Sequence, residues 1–368
     1  MNERVYWLAW SQIPGLGAVL LTRLRAHCGD LEAAWHWPLR ELGAVEGIGD
    51  RGLSAIARAR QQLDPRAFHE QYRQRNPQFL TPADADYPQL LQEIPGPPPV
   101  LHWLGNLDLI GNRRAWTGVA VVGTRDPTPY ACRWTEKLTC RLARSGFTIL
   151  SGMAYGIDTE AHRACLAVKG ETVAVLGTGI DVCYPSTNEA LYDRIRAEGL
   201  LLSEYPAGTG PQRGHFPARN RIVAGLSRAV LVTEAPSRSG ALITARLANE
   251  FGRDVFVLPG SLDNPAALGC LGLLVQGAQP VLGEGHLLEL LGRLPDLDPP
   301  AEQLGLNLTP PLPPELEPVL RRIPPEPIAL ERLVLDTGLE AGQVAAALMQ
   351  LELLGRVQQL PGMQVQRI

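Results

Sequence analysis

The sequence contains very little lysine. Of its 34 basic residues only Lys137 and Lys169 are lysines, and the 38 acidic residues leave a formal net charge of −4. A net negative chain is not expected to be coated by nucleic acid along its whole length. The excess of arginine extends over the whole chain, so it is by itself no evidence for DNA binding. The net charge does not exclude a local phosphate-binding site, because charges act over a Debye length of about 10 Å.

Long apolar runs and metal-binding motifs are also missing. No stretch approaches the roughly 20 apolar residues that span a membrane, and the start, MNERVYWLAW, predicts no signal peptide. The six cysteines form no C-x-x-C pair, no G-x-x-x-x-G-K-[ST] loop is present, and the G-x-G at 177–179 lacks the third glycine of a dinucleotide fingerprint. We therefore expect a cytoplasmic protein with reduced thiols and without a metal, a cofactor or a membrane segment.

The length and the positions of the prolines divide the chain into four parts. At 368 residues the chain is long for one core. Residues 1–78 predict a small helical domain that resembles sterile-alpha-motif or helix-hairpin-helix modules. Residues 79–295 predict the central domain, and its first part, 79–100, reads as a stiff proline-rich connector. Residues 296–315 predict a proline-rich linker, and residues 316–368 resemble a winged helix.

Two G-x-G turns, Pro14–Gly17 and Glu46–Gly49, lie between the apolar segments of residues 1–78. This spacing can join two helices with outward-facing backbone amides that contact a phosphate backbone. Each glycine can instead simply cap a helix, which is the slightly favoured interpretation.

Apolar runs alternate with amphipathic stretches from about residue 117 to residue 292. The runs are Val119–Val122, Thr148–Leu150, Val173–Leu176, Leu200–Leu202, Ala229–Val232, Val255–Leu258 and Pro280–Leu282. The helical stretches include Trp134–Arg144, Glu160–Val168, Glu189–Glu198 and Ala241–Phe251. This alternation predicts a parallel sheet covered on both faces, a doubly wound, Rossmann-like α/β fold. Ligands of such folds bind at the carboxyl ends of the strands.

Residues 211–260 form a cationic stretch, with seven arginines against three acidic residues. Phe216 lies three residues before Arg219, and Asn220 stands between Arg219 and Arg221. An aromatic face beside guanidinium groups suits an unpaired nucleic acid, which needs stacking and phosphate neutralisation. Ion pairing in the helical cover would also explain the two arginines, and core packing would also explain Phe216.

Four predicted strands are followed by loops rich in glycine and small polar residues. These loops are Gly123-Thr124-Arg125, Ser151–Asp158, Gly177–Asp181 and Ser237–Ala241. Glycine lets backbone amides approach an anion, so the loops predict a phosphate-lined pocket rimmed by Arg125, Arg213, Arg219 and Arg221. Asp158 and His162 share a helix face, where we expect a helix cap and a local hydrogen bond rather than a metal or acid–base pair.

The C-terminal part has little positive charge. Residues 316–368 contain five basic and six acidic residues, and the candidate recognition helix, Leu339–Leu353, contains no lysine or arginine. Its exposed polar positions are expected to be Glu340, Gln343, Gln350 and Glu352. Because a DNA-reading helix is basic on its exposed face, we expect a protein-contact or structural role here.

Several segments occur in a recognisable order along the central domain. They are VVGTRDPTPY (121–130), SGMAYGIDTEAH (151–162), VAVLGTGIDVCYP (173–185), LLSEYP (201–206), the stretch from FPARNR to LPG (216–260) and QGA (276–278). Together they resemble the DNA-processing protein A family, DprA/Smf, whose layout the flanking domains also fit.

The resemblance implies a homodimeric single-stranded-DNA-binding protein of natural transformation and recombination. Members protect incoming strands, help to displace single-strand-binding protein and load the RecA recombinase, and no catalytic turnover is implied. At the matching positions the DNA site would use Arg125, Arg213, Phe216, Arg219, Asn220 and Arg221. Backbone or hydroxyl contacts to phosphates would come from Gly123, Thr124, Ser239 and Gly240.

Two other functions stay open. The sheet also resembles nucleotide phosphoribohydrolases, whose P-G-G-x-G-T-x-x-E loop corresponds to Pro236–Ile243 here, without the glutamate. The other possibility is a protein-interaction scaffold with a vestigial nucleotide pocket.

Overall fold

The computed structural model of the chain describes residues 3–111, 117–292, 313, 316–324, 327–354, 356–360 and 362–367. The chain divides into two compact units, Met1–Leu297 and Asp298–Ile368. Of the predicted linker 296–315 only Pro313 lies within the described residues. The four-part division drawn from the sequence therefore stays a prediction.

The first unit begins with a group of helices around a core of its own. These are α1 (Glu3–Ser11), α2 (Ala18–Cys28), α3 (Leu31–His36), α4 (Leu39–Leu42), α5 (Asp50–Gln62) and α6 (Pro65–Arg75). In the two G-x-G turns, Gly15 and Gly47 have φ values of 86° and 93°, which side chains disfavour, and Gly17 and Gly49 are the N-caps of α2 and α5. The glycines therefore form the turns and cap α2 and α5. A contact between these turns and a phosphate backbone stays a prediction.

The rest of the first unit is built on a nine-stranded sheet in the order β1-β2-β6-β5-β4-β3-β7-β8-β9. The strands are β1 (Phe79–Leu80), β2 (Leu101–Gly105), β3 (Gly118–Val122), β4 (Thr148–Ser151), β5 (Thr172–Leu176), β6 (Leu200–Ser203), β7 (Ala229–Val232), β8 (Asp254–Val257) and β9 (Gln279–Pro280). Strands β3 to β9 pair in parallel, as the sequence predicts.

One edge of the sheet differs from the prediction. Strand β2 pairs antiparallel with β6, and β1 pairs antiparallel with β2, so the sheet is mixed rather than purely parallel. The segment 79–100 is therefore more than a connector, since its first two residues form a strand. This strand has only two residues and is followed by a proline-rich sequence, so it shows no strand pattern. Its partner, β2, lies beyond the prolines.

Helices cover both faces of the sheet. They are α7 (Gln89–Gln92), α8 (Pro129–Arg144), α9 (Ile157–Ala167), α10 (Glu189–Glu198), α11 (His215–Gly225), α12 (Gly240–Glu250), α13 (Leu268–Val275) and α14 (Glu284–Leu291). Ala120 and Val122 pack on the side of α11, α12 and α13, whereas Val119 and Val121 pack on the side of α8, α9 and α14. The two cores confirm the doubly wound α/β fold.

The helical group packs directly on the edge of the sheet. Leu8 of α1 is buried with Phe79 and Val100. Arg4 donates a hydrogen bond of 2.6 Å to the Phe79 carbonyl oxygen and lies 3.3 Å from a carboxylate oxygen of Asp84. The helical group and the sheet thus share a polar and an apolar contact within one unit.

The described residues of the second unit form three helices and a small sheet. They are α15 (Glu317–Leu320), α16 (Leu330–Thr337) and α17 (Ala341–Leu353), with β10 (Ile328–Ala329), β11 (Val357–Leu360) and β12 (Gln364–Arg367) in the order β10-β12-β11. Val344 and Leu348 face its core, whereas Gln343 and Gln350 are exposed. Among all the described residues, no helix is long and apolar enough to cross a membrane.

Candidate nucleic-acid interface

A cleft of about 660 Å³ opens at the carboxyl edge of the sheet. Its walls come from the segments after β3, β4, β5 and β7, from α11 with the residues just before it, and from the start of α12. We call it the cationic cleft, because four arginines and one aspartate are among its lining residues: Arg125, Arg213, Arg219, Arg238 and Asp158.

Most of the residues predicted from the sequence line this cleft. They are Gly123, Thr124, Arg125, Arg213, Phe216, Arg219, Asn220, Ser239 and Gly240. Three of the four loops predicted to converge contribute lining residues, whereas the third, Gly177–Asp181, contributes none to this cleft. The role of each residue in DNA binding stays a prediction.

Arg221 is the predicted residue that the structure does not bring to the cleft. Its guanidinium lies 2.5 Å from a carboxylate oxygen of Glu204, and both side chains are largely buried. Residues two apart on a helix point to nearly opposite sides, so Arg219 and Arg221 cannot both face the cleft from α11. Arg221 therefore forms an ion pair, which is the alternative that the sequence left open. The prediction that Arg221 lies at the rim of the pocket is wrong.

Arg219 is buried beneath the cleft, with only 4% of its surface exposed. Its Nη1 donates hydrogen bonds to the carbonyl oxygens of Gly152 and Val175, at the ends of β4 and β5. Burial lowers the pKa of this guanidinium, an effect that nearby Asp158 opposes and that Arg125 reinforces. A Cβ at Gly152 would lie 2.4 Å from the guanidinium, so the loop needs glycine here. Arg219 therefore holds two strand ends together while its charge lies below the cleft.

Asp158 is the buried partner of this arginine. Its carboxylate accepts hydrogen bonds of 3.1 and 3.3 Å from the backbone amides of Gly152 and Ala154. Burial raises its pKa, and the Arg219 charge opposes the rise. Asp158 does not cap α9, whose N-cap is Gly156, but orders the loop before it.

His162 belongs to the core, as the sequence indicates. Its Nδ1 lies 2.7 Å from the Thr172 hydroxyl, and burial together with the Arg219 charge lowers its pKa to about 3. Within the described part of the chain, no cluster of three His, Cys, Asp or Glu residues could hold a metal ion.

The exposed wall of the cleft combines positive charge with aromatic rings. The Arg125 guanidinium lies 5.7 Å from the centre of the Phe216 ring, a cation–π distance. The Tyr184 ring lies 5.3 Å from Phe216 on a plane tilted by 35°, and 40% of Tyr184 is exposed. A Cβ at Gly177 would come within 2.8 Å of the Phe216 ring, so glycine in the third loop makes room for the aromatic pair.

A buried glutamate fixes the loop that carries Arg125. The Glu234 carboxylate accepts hydrogen bonds from the Thr128 amide at 2.7 Å, from the Thr128 hydroxyl at 2.8 Å and from the Asn264 side chain at 3.1 Å. The Glu234 carbonyl accepts a further bond of 2.7 Å from the Thr124 amide. The loop is therefore ordered before any ligand arrives.

Arg238 and Tyr184 also line the cleft, and neither is among the site residues that the sequence predicts. Arg238 lies in the Ser237–Ala241 loop, so its charge beside a predicted phosphate loop could have identified it. Tyr184 follows the third loop, and nothing local in the sequence indicates that its ring meets Phe216. That contact depends on how α11 crosses the end of β5.

Comparisons with known proteins agree with this fold and site. Residues 78–292 match the family model described as DNA recombination-mediator protein A, and residues 299–363 match the model of the DprA winged helix domain. The chain belongs to the DprA/Smf family. The resemblance stated from the sequence is thereby confirmed, and so is the fold class, including the C-terminal winged helix.

Individual members of the DprA/Smf family cover most of the chain. Protein Smf of Synechocystis sp. is 52% identical over 394 aligned positions, which cover 100% of this chain and 99% of that protein. The X-ray structure of DNA processing protein A from Streptococcus pneumoniae has a TM-score of 0.68 and 36% identity, over 78% of this chain and 97% of that one.

A second solved structure concerns single-stranded DNA directly. DNA processing protein A from Helicobacter pylori, whose single-stranded DNA binding mode that structure addresses, has a TM-score of 0.53 and 33% identity. The match covers 58% of this chain and 95% of that one.

Proposed function

We propose that this protein binds single-stranded DNA in the cationic cleft and acts in natural transformation and recombination. The observation that carries the proposal is the joint placement of exposed Arg125, Arg213 and Arg238 around the Phe216–Tyr184 ring pair. Guanidinium groups neutralise phosphates, and aromatic rings stack on unpaired bases. The DNA binding described for the Helicobacter pylori relative supports the same assignment.

The aromatic pair favours single strands over duplex DNA. Bases in a duplex are already stacked and paired, so their faces are not available to Phe216 or Tyr184. An unpaired strand can place a base on a ring while its phosphates contact the arginines. The ordered loop around Glu234 further favours binding, because little conformational entropy is lost when a strand enters.

The proposal is tested by fluorescence anisotropy with single- and double-stranded oligonucleotides of one sequence at two ionic strengths. We expect tighter binding of the single strand. Arg125→Ala and Arg213→Ala should each weaken it severalfold and should reduce the slope of log affinity against log salt by about 0.7, as expected for one lost phosphate contact. The control is Arg194→Ala, an exposed arginine paired with Glu198 on α10. Unchanged affinity in both cleft variants would overturn the proposal and favour the interaction scaffold.

The partners are part of the proposal. The family resemblance supports protection of incoming strands, displacement of single-strand-binding protein and loading of the RecA recombinase. A homodimer has physical support at the outer edge of the sheet, where Leu268 and Val275 of α13 and Leu282 after β9 are exposed. Apolar side chains exposed together are typical of a protein interface.

The nucleotide phosphoribohydrolase alternative has less support. The carboxylate that lines the cleft is that of Asp158, and it already accepts two backbone hydrogen bonds beside Arg219. Glycoside chemistry uses a carboxyl group that can reach the scissile bond. Free base released from nucleoside monophosphates would establish the enzyme and would contradict our assignment of a binding protein.

A further inference from the structure

A second cleft, of about 260 Å³, lies beside the cationic cleft and has no role in the function proposed so far. Its walls include Tyr155 and Glu160, and a narrow crevice next to it is lined by Tyr155 together with Arg125 and Phe216. Arg125 and Phe216 also line the cationic cleft. Tyr155 therefore stands between the two clefts, and a strand leaving the first cleft along the crevice meets its ring.

The exposure of Tyr155 suits it to a ligand. It projects from the loop between β4 and α9, and 46% of its surface is exposed. Its backbone is held from both sides, since the amides of Gly152 and Ala154 donate to Asp158 and the Thr159 hydroxyl donates to the Ala154 carbonyl at 2.6 Å. A large ring on an ordered loop is a stacking surface that is available without rearrangement.

The second cleft presents hydrogen-bond acceptors. The Asn188 side-chain nitrogen donates to the Met153 carbonyl at 3.1 Å and to the Thr159 hydroxyl at 2.8 Å, which uses both amide hydrogens. The amide oxygen is thus the atom of Asn188 left for a ligand. Half-buried Glu160 adds a carboxylate, whose pKa is raised by burial and by Glu136 and lowered by Arg163.

We propose that this cleft holds one unpaired base of the strand bound in the cationic cleft, stacked on Tyr155 and donating its exocyclic amino group to Glu160 and Asn188. Adenine, cytosine and guanine carry such a group. Thymine has no exocyclic amino group, and its one ring donor, N3–H, lies between two carbonyl oxygens that the two acceptors repel. Exposed Arg163 at the cleft is available to the adjoining phosphate. This inference rests on the proposed function and adds a base preference to it.

The test uses the full chain and oligonucleotides of deoxythymidine with a single deoxycytidine walked along the strand. We expect one position at which deoxycytidine binds about tenfold more tightly than deoxythymidine. Glu160→Met, which keeps the length of the side chain but removes the acceptor, should abolish this preference, because deoxycytidine loses its acceptor and thymine is no longer repelled. Equal affinity at every position in the wild-type protein would overturn the inference.

Tyr155 is tested separately. Tyr155→Ala should weaken binding of the preferred strand about tenfold, and Tyr155→Phe should restore it because the ring alone stacks. Tyr130→Ala is the matched control, since Tyr130 is 39% exposed and lies outside the lining of both clefts. If Tyr155→Ala binds normally while Arg125→Ala binds weakly, the base site is wrong and the proposed function stands. If neither variant changes the affinity, the proposed function itself fails.

Discussion

Arg125 and Arg219 line the same cleft but differ in what their side chains contact. Arg125 is exposed, and its guanidinium lies over the Phe216 ring. Arg219 is buried and satisfies two strand-end carbonyl groups. Removal of Arg125 takes away charge that a ligand can reach, whereas removal of Arg219 leaves buried acceptors and the Asp158 carboxylate without a partner cation.

Arg219→Ala should therefore destabilise the protein by about 3 kcal/mol, because two buried carbonyl groups lose their donor and the buried Asp158 carboxylate loses a nearby positive charge. Arg125→Ala should change the free energy of unfolding by less than about 0.5 kcal/mol, although it weakens DNA binding. Urea unfolding followed by circular dichroism measures both values. Equal stability of the two variants would contradict the structural role given to Arg219.

The buried histidines predict a loss of stability in acid. Burial lowers the pKa of His102 to about 4 and that of His162 to about 3, from the ordinary 6.5. As the pH falls below 6.5 the unfolded chain takes up protons that the folded protein excludes, so the free energy of unfolding decreases. Each histidine contributes a slope of about 1.4 kcal/mol per pH unit between pH 6 and pH 4.

The histidine effect is measured by urea unfolding at several pH values. His162→Asn should lower stability at pH 7, because it disturbs a packed site, but should reduce the slope below pH 6 by about 1.4 kcal/mol per pH unit. The variant is compared with His286→Asn, a change outside the buried core. An unchanged slope in His162→Asn would show that this imidazole is protonated in the folded protein.

At the scale of elements, the sequence predicted the parts that have a local pattern. The Val- and Leu-rich runs from β3 to β8 were found within one or two residues, because strands buried on both faces must be apolar throughout. Strand β2, Leu101–Gly105, has no such pattern, since it contains histidine, tryptophan and glycine. Its antiparallel pairing with β6 joins segments about a hundred residues apart, which no short window reveals.

Helix α11 shows why the candidate site was only partly predictable. Gly214, Pro217 and Gly225 disfavour the prediction of a helix here, and without the helix the sequence places both Arg219 and Arg221 at the rim of the pocket. In a helix, side chains two residues apart point to nearly opposite sides, so Arg219 and Arg221 do not share a face of α11. The glycine loops, by contrast, follow a local sequence pattern and could be predicted, and in the structure neighbouring groups leave no room for a Cβ at Gly123, Gly152 and Gly177.

The exposed apolar residues of α13 and the outer edge of the sheet give an element-scale prediction. Val275 is 90% exposed, and with exposed Leu268 and Leu282 it belongs to the surface that we propose for the homodimer. Val275→Asp should convert a homodimer into a monomer in size-exclusion chromatography with light scattering. Leu335→Asp in α16, which is 82% exposed in the second unit, is the matched control. A wild-type protein that is monomeric at all concentrations would refute the dimer.

At the scale of the whole molecule, the two units differ in the charge they offer to DNA. The first unit contains the cationic cleft, whereas α17 of the second unit carries no lysine or arginine. A fragment ending at Leu297, the boundary of the first unit, should bind single-stranded DNA within about twofold of the full chain, because the phosphate contacts that dominate affinity are retained. A loss of tenfold or more in the same anisotropy assay would assign DNA contacts to the winged helix.

The Glu234 carboxylate has a consequence for how this protein can vary. Its bonds tie Thr128, in the segment after β3, to Asn264, beyond β8. A substitution at any one of these three positions leaves a hydrogen-bonding group of the remaining residues without its partner. We therefore expect a substitution at Thr128 or Asn264 to loosen the segment that carries Arg125, although neither residue lines the cationic cleft.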